Sequence, residues 1–146
     1  MPPTPSHPED RKEPPCVGLP HSHALRGLEL FNQGNYFQAH ESLEEAWRAE
    51  TGAVRNLYQG ILQIGVAYYH ILRGNYRGAV NLLRRGCNRL EGFPDICRGI
   101  NVAQLRADAR AVDQILQRLG PEGIRYFNPG LLKQVIFDSA AYKQQK

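Results

Sequence analysis

The sequence of 146 residues predicts an all-α protein, a multihelical bundle of two αα-hairpins with a fifth helix and a C-terminal arm. Three observations support this fold class. Apolar residues recur with helical spacing along most of the chain, Gly-Asn turns separate the helical stretches, and a short motif is repeated after 40 residues. No stretch alternates apolar and polar residues with the period of two that a half-buried strand requires.

The repeat defines the two hairpins. Gly34-Asn35-Tyr36, Ala39 and Leu43 recur as Gly74-Asn75-Tyr76, Ala79 and Leu83. In each copy the glycine ends one helix, because it adopts a left-handed conformation without steric cost, and the asparagine caps the next helix. The Tyr, Ala and Leu positions form one core-facing stripe. We therefore expect four helices, over residues 23–33, 36–50, 54–72 and 76–90.

A fifth helix is expected to begin at Asn101, where Gln104 completes a capping-box pattern, and to end near Leu119, before Gly120-Pro121. Residues 92–99 are predicted to be a loop. The apolar residues that follow the fifth helix predict a short helix or extended arm packed onto the bundle: Leu131, Leu132, Val135, Ile136 and Phe137.

The Pro-rich residues 1–20 are predicted to form a disordered leader, so that a single domain spans residues 21–146. The three cysteines, Cys16, Cys87 and Cys97, are an odd number without metal-ligand spacing. They indicate no disulfide framework, which favours a reducing cytoplasm. With no apolar export segment and no apolar stretch long enough to span a bilayer, we expect a soluble, cytoplasmic protein without a membrane partner.

The formal net charge of +4 is distributed unevenly. Residues 29–50 contain five glutamates and one arginine, whereas residues 73–89 contain five arginines and no acid. An acidic helix beside a basic one can reflect complementary packing within one domain, and nucleic-acid binding is the alternative. No exposed aromatic residues alternate with the arginines and no docking motif accompanies them, so the sequence argues against a nucleic-acid partner and predicts no specific nucleic-acid affinity.

The densest group of chemically versatile side chains lies on the second and third predicted helices. His40 falls within the apolar arc of its helix, and Glu44 lies one turn later at the edge of that arc. The third predicted helix is apolar around most of its circumference, but one arc carries amides and a histidine. If the two helices face each other, five side chains converge: His40, Glu44, Gln59, Gln63 and His70.

Three interpretations of this polar cluster remain open. It can be a structural network that fixes helix packing, a pocket for a small molecule or peptide, or a metal site. The candidate metal ligands are His40, Glu44 and His70. The pattern lacks the second histidine of zinc proteases and the Glu-x-x-His pair of di-iron bundles, so the sequence identifies neither a cofactor nor a catalytic residue.

Two blocks of sequence resemble the signature of an uncharacterised bacterial family called domain of unknown function 309. The first is Phe31-Asn32-x-Gly34-x-Tyr36-Phe37-x-Ala39-His40-Glu41-x-Leu43-Glu44-x-x-Trp47, and the second is Tyr58-Gln59-Gly60-Ile61-Leu62-Gln63, followed by His70 and Arg73-Gly74-Asn75. The resemblance covers residues 25–90, implies a multihelical bundle and supplies no activity.

Relatives in that family commonly carry a glutamate where this chain has Gln38, which removes one acid that could serve as a metal ligand. We therefore expect a small binding or interaction protein, whose partner is a small molecule or a protein. The alternative is a metal-dependent, hydrolase-like enzyme that uses His40, Glu44 and His70.

Overall fold

The computed structural model describes residues 16–138, and this part of the chain contains five α-helices and two short 3₁₀ helices, Ile124–Tyr126 and Pro129–Leu131. The helices are α1 (Ser22–Asn32), α2 (Tyr36–Ala49), α3 (Arg55–Leu72), α4 (Tyr76–Leu90) and α5 (Val102–Gly123). The all-α fold class is confirmed, and the predicted ends of the first four helices agree with the structure to within one residue. Residues 1–15 of the predicted leader and residues 139–146 lie outside the described residues.

The two Gly-Asn turns separate the helices as predicted. Gly34 and Gly74 have φ values of 83° and 76°, in the left-handed region that glycine adopts readily. The two asparagines differ, however. The Asn75 Oδ1 accepts a hydrogen bond of 3.1 Å from the backbone N–H of Gly78, whereas Asn35 makes no such cap bond.

The fifth helix begins where the sequence predicts, but it extends past its predicted end near Leu119, to Gly123. The Asn101 Oδ1 accepts a bond of 3.0 Å from the Gln104 backbone N–H. The capping box is not closed, because the Gln104 side chain donates to Asp108 instead. At Gly120 the φ of 72° breaks the regular helix immediately before Pro121.

Helix α3 lies at the centre of the bundle, as its nearly all-apolar surface predicts. Five of its large apolar or aromatic side chains are fully buried: Leu57, Tyr58, Ile61, Ile64 and Tyr68. Helices α2 and α4 both pack against α3, α1 packs against α2, and α5 packs against α4. Within residues 16–138, no helix is both long enough and apolar enough to cross a membrane.

The acidic and basic helices contact different sides of α3. Gly60 and Ile64 of α3 contact α4, whereas Val66 and Tyr69 face α2. At about 100° per residue, these two pairs of residues lie on opposite sides of the α3 axis. The glutamates of α2 therefore do not neutralise the arginines of α4, and no ion pair joins the two helices in the described part of the chain. The expectation of complementary packing was wrong.

The predicted loop over residues 92–99 contains part of a small antiparallel hairpin. Its strands are β1 (Ile96–Cys97) and β2 (Ile100–Asn101). The connecting residues Arg98 and Gly99 both have positive φ, at 53° and 76°, as a tight two-residue turn requires. Strands of two residues are too short to produce an alternating pattern, so they could not be predicted from the sequence.

The structure joins Cys16 to Cys97 in a disulfide, so the prediction of no disulfide was wrong. The Arg98 backbone N–H also donates to the Cys16 carbonyl at 2.9 Å, and the Arg98 guanidinium donates to the Leu19 carbonyl. Contacts with the domain thus begin ahead of the predicted start at residue 21. The third cysteine is buried as a free thiol, and burial raises its pKa. The prediction of a reducing compartment loses the support of unpaired cysteines.

An extended arm after α5 returns to the end of α1. The Asn32 Nδ2 donates to the Val135 carbonyl at 2.9 Å, and the Val135 N–H donates to the Asn32 Oδ1 at 2.7 Å. Val135 is buried, and Phe137 pairs with Ile100 of the hairpin. The predicted packed arm is confirmed, although Ile136 is 56% exposed because its neighbours on either side face the bundle.

Candidate binding cleft

A row of four aromatic rings crosses from α2 to α3 on the surface of the bundle. His40 lies 6.2 Å from Phe37, Phe37 lies 6.0 Å from Tyr69, and Tyr69 lies 6.1 Å from His70, measured between ring centroids. The guanidinium of Arg73 lies 5.4 Å from the centroid of the Tyr69 ring. The outer edges of two helices are thus joined through ring contacts.

Helix geometry determines which side chains reach this row. In α2 the core stripe of Tyr36, Ala39 and Leu43 is buried. His40 and Phe37 are rotated away from the centre of that stripe by about 65° and about 125°, toward the flank of the helix that meets α3. Aromatic residues at these positions are therefore only partly covered by the bundle.

The rings border a shallow cleft with a volume of about 220 Å³. Its lining comprises Phe37, His40, Val66, Tyr69 and His70. Phe37 is 57% exposed, and the other four side chains are half-buried. The cleft is thus a mainly apolar depression, open to solvent, with one histidine from each of two helices.

Each histidine has a polar neighbour on its own side of the cleft. The His40 Nε2 lies 3.7 Å from Glu44 Oε1, and Glu44 also accepts a hydrogen bond of 3.0 Å from Arg48. The His70 Nδ1 lies 3.2 Å from the Asn75 side-chain amide. The His40 Nδ1 is buried without a hydrogen-bond partner among the described residues. These contacts orient the imidazoles toward polar neighbours on their own chain segments.

The five side chains of the predicted cluster do not all meet. His40 and His70 line the cleft, and Glu44 lies beside His40. Gln63 points elsewhere, because it accepts a hydrogen bond of 3.2 Å from Arg89 at the contact of α3 with α4. Gln59 is half-buried and has no hydrogen-bond partner in the part of the chain that the structure describes.

The geometry does not assemble the predicted metal ligands into one set. Within residues 16–138, no three His, Cys, Asp or Glu side chains are grouped closely enough to hold a metal ion. His40 and Glu44 form a pair one helical turn apart, but His70 does not complete a three-ligand set with them.

Sequence reasoning missed the apolar part of the cleft, which Phe37, Val66 and Tyr69 contribute. The signal for Phe37 was present, because this large apolar residue lies outside the buried stripe of α2. Val66 and Tyr69 gave no comparable signal, since α3 is apolar around most of its circumference. Periodicity alone did not separate its core-facing residues from its cleft-facing ones.

The fold and the cleft define a small helical bundle domain with a ring-lined cleft between two central helices. Residues 24–82, which include α2, α3 and every cleft residue, match the family described as Domain of unknown function (DUF309). This match confirms the family resemblance for that segment.

Two bacterial relatives are similar to part of the chain. An "Uncharacterized protein" of Aquifex aeolicus (strain VF5) is 30% identical over 78 residues, which are 53% of this chain and 23% of the relative. "Uncharacterized protein YpuF" of Bacillus subtilis (strain 168) is 38% identical over 65 residues, which are 44% of this chain and 37% of the relative. The chain thus spans less than two-fifths of either relative.

Proposed function

We propose that this domain is a binding module whose cleft between α2 and α3 takes one apolar or aromatic side chain of a partner protein. The exposure of Phe37 supports this proposal most directly. A phenylalanine that is 57% exposed, beside a half-buried Tyr69 and Val66, leaves apolar surface in water that a partner side chain would cover.

The size of the cleft favours a side chain over a small metabolite. Sites for small organic ligands commonly occupy about 300–1,000 Å³ and enclose most of the ligand. The cleft volume of about 220 Å³ is smaller, and the cleft is open on one side. Protein interfaces often depend on one large anchor residue inserted into such a depression.

The rim of the cleft indicates the charge of the partner segment. Glu41 is exposed one turn from Phe37 and makes no ion pair with any described residue. Glu44, on the same flank of α2, lies beside His40. On the α2 side of the cleft, opposite the Arg73 guanidinium, we therefore expect the partner segment to place lysine or arginine next to its apolar anchor, since opposite charges on the rim favour the correct orientation.

The lengths of the relatives support the interpretation of this segment as a binding module. The segment that matches this chain is 23% of one relative and 37% of the other, so each carries it within a longer chain. A domain that occurs in different chain contexts is more consistent with a recognition role than with a self-contained enzyme. The metal-dependent hydrolase is not favoured, since its candidate ligands are not grouped.

Selection from a random peptide library displayed on phage would test the proposal. Phe37→Ser removes the exposed ring of the cleft. Ile96→Ser is a matched control, because Ile96 is also 57% exposed but lies on the β1 strand, away from the cleft. Selected peptides are expected to combine a Leu, Phe or Trp with basic neighbours. They should bind the wild-type protein and Ile96→Ser equally, and bind Phe37→Ser at least about tenfold more weakly.

Two outcomes would contradict this function. Peptides that bind Phe37→Ser as well as the wild type would show that the cleft is not the site. A rise in melting temperature with zinc that is lost in both His40→Gln and His70→Gln would support the metal site instead.

A further inference from the structure

The outer face of α4 carries a stripe of arginine and asparagine side chains. Arg77, Asn81, Arg84 and Asn88 fall within about 60° around the helix axis, and Arg85 lies about 40° beyond this arc. All five are exposed. We call this set the arginine stripe; at a rise of 1.5 Å per residue, Arg77 and Arg84 are about 10 Å apart along the helix.

The arginines of the stripe differ from most other described arginines because they have no partner among residues 16–138. Among the described arginines on other elements, all but Arg118 form ion pairs, hydrogen bonds or ring contacts, for example Arg48 with Glu44 and Arg106 with Asp95. Arg77, Arg84 and Arg85 make none of these contacts with any residue in the range 16–138. Three guanidinium groups are therefore exposed together on one helix, free to bind an external anion.

The charge of the stripe is not needed for packing in the bundle. Forty residues earlier, at the equivalent positions of α2, the chain has Glu44 and Glu45 where α4 has Arg84 and Arg85. In both helices the alanine and leucine positions of the repeat are buried. The fold thus accepts either charge at these positions, and the arginines call for an explanation outside the core.

The composition of the stripe identifies the kind of anion. A protein interface normally has an apolar centre, and the five stripe residues include no apolar side chain. Arginine and asparagine side chains are typical donors to phosphate oxygens in nucleic-acid complexes. We propose that the arginine stripe binds the phosphate backbone of duplex nucleic acid without reading its sequence.

The absence of stacking residues favours a duplex over a single strand. Proteins that hold single strands stack successive bases on aromatic side chains, and the stripe has none. Contacts to phosphates alone carry no direct sequence information. This proposal departs from the sequence-based expectation of no nucleic-acid partner, because the arginines of α4 are exposed and form no ion pair with α2. It retains the predicted lack of specific affinity, and it is independent of the function proposed for the cleft.

Fluorescence anisotropy with labelled DNA and RNA duplexes of unrelated sequence, measured across about 20–200 mM NaCl, would test the inference. The full chain is expected to bind DNA duplexes of different sequence with similar affinity to one another, and likewise RNA duplexes of different sequence. The logarithm of the association constant should fall with the logarithm of salt concentration with a slope of about −2.7, as release of counterions by three phosphate contacts predicts. The triple variant Arg77→Gln, Arg84→Gln, Arg85→Gln should bind at least about tenfold more weakly, with a shallower slope.

A second triple variant provides the matched control. Arg26→Gln, Arg48→Gln, Arg118→Gln changes the net charge by the same amount but affects α1, α2 and α5. It should retain duplex binding within about threefold. The proposal would be overturned if the two triple variants lost equal amounts of duplex affinity, or if the wild type did not bind duplexes at the lowest salt. It would also be overturned if the wild type bound poly-glutamate or vesicles of anionic phospholipid as tightly as duplexes.

Discussion

The α1–α2 and α3–α4 hairpins share a turn and a core pattern but present different surfaces. Ala39 and Leu43 of α2 are buried, as are their equivalents Ala79 and Leu83 of α4. Outside these positions the chemistry diverges. The cleft on α2 includes the exposed ring of Phe37, and the equivalent position of α4 holds an arginine of the stripe.

This difference shows which positions the fold constrains. A residue that faces the central helix must keep its size, because the interior is closely packed. A residue on the outer side can change from Glu to Arg without a packing cost. Comparing equivalent positions of the two hairpins therefore separates structural residues from those available for binding, even in a single sequence.

The largest expected difference in stability is between substitutions of the equivalent tyrosines of the two hairpins, Tyr36 and Tyr76. Tyr36 is 7% exposed and makes edge-to-face contacts with Phe31 and Tyr68, at centroid distances of 5.3 and 5.6 Å. Tyr36→Ala should lower the free energy of unfolding by about 3 kcal/mol, and Tyr76→Ala by about 1 kcal/mol, because Tyr76 is only half-buried. Urea denaturation would measure both; equal losses would mean that the two hairpins are packed alike.

The second effect concerns how closely the helices approach. A Cβ atom on Gly86 would lie 2.7 Å from the Ile64 Cγ1 and 3.0 Å from the Gly60 carbonyl oxygen. Gly86→Ala should therefore destabilise the protein by about 1–3 kcal/mol despite the better helix propensity of alanine.

The first hairpin supplies the comparison, since Ala46 is the residue equivalent to Gly86 and is fully buried. Ala46→Gly should cost about 1 kcal/mol through backbone entropy. A higher denaturation midpoint for Gly86→Ala would show that α3 and α4 can separate without loss.

A smaller difference is expected at the two caps. Asn75→Ala removes a hydrogen bond to the Gly78 N–H and should cost about 1 kcal/mol. Asn35→Ala removes no cap bond and should cost only a few tenths of a kcal/mol. Thermal unfolding of the two variants would distinguish them, and a larger loss for Asn35→Ala would reverse this assignment.

The smallest expected effect on stability concerns a buried hydroxyl on α3, the helix against which both α2 and α4 pack. The Tyr68 hydroxyl is buried and has no hydrogen-bond partner among the described residues, and burial raises the pKa of this tyrosine. Tyr68→Phe should leave stability within about 0.5 kcal/mol of the wild type or raise it, because an unsatisfied polar group is removed.

The control for this change is Tyr58→Phe. The Tyr58 hydroxyl accepts a hydrogen bond of 2.9 Å from the His21 N–H, and its loss should cost about 1 kcal/mol. If Tyr68→Phe proves the more damaging of the two in urea, the Tyr68 hydroxyl has a partner in solution.

The sequence was sufficient for the helices and insufficient for the site, for a physical reason. Glycine and asparagine act locally, so the turn at Gly34-Asn35 could be recognised within a few residues. The placement of Gln63 depended on the rotation of α3 about its axis. Because α3 is apolar on nearly every side, periodicity did not show that Gln63 faces Arg89 of α4 rather than His40 of α2.

The disulfide had no local signal at all. Cys16 and Cys97 are separated by 81 residues, and only the folded chain brings them together. The hairpin that carries Cys97 depends on the positive φ of Arg98, a conformation that cannot be predicted from an arginine in the sequence.

The same disulfide gives the chain a closed covalent topology. The bond between Cys16 and Cys97 encloses both hairpins and the whole family segment 24–82 in one ring, with α5 outside it. A protease that cuts the exposed Thr51-Gly52-Ala53 segment between the hairpins would open the ring without releasing a fragment. The two pieces would separate on a denaturing gel only after reduction, and until then the nicked domain would remain a single molecule.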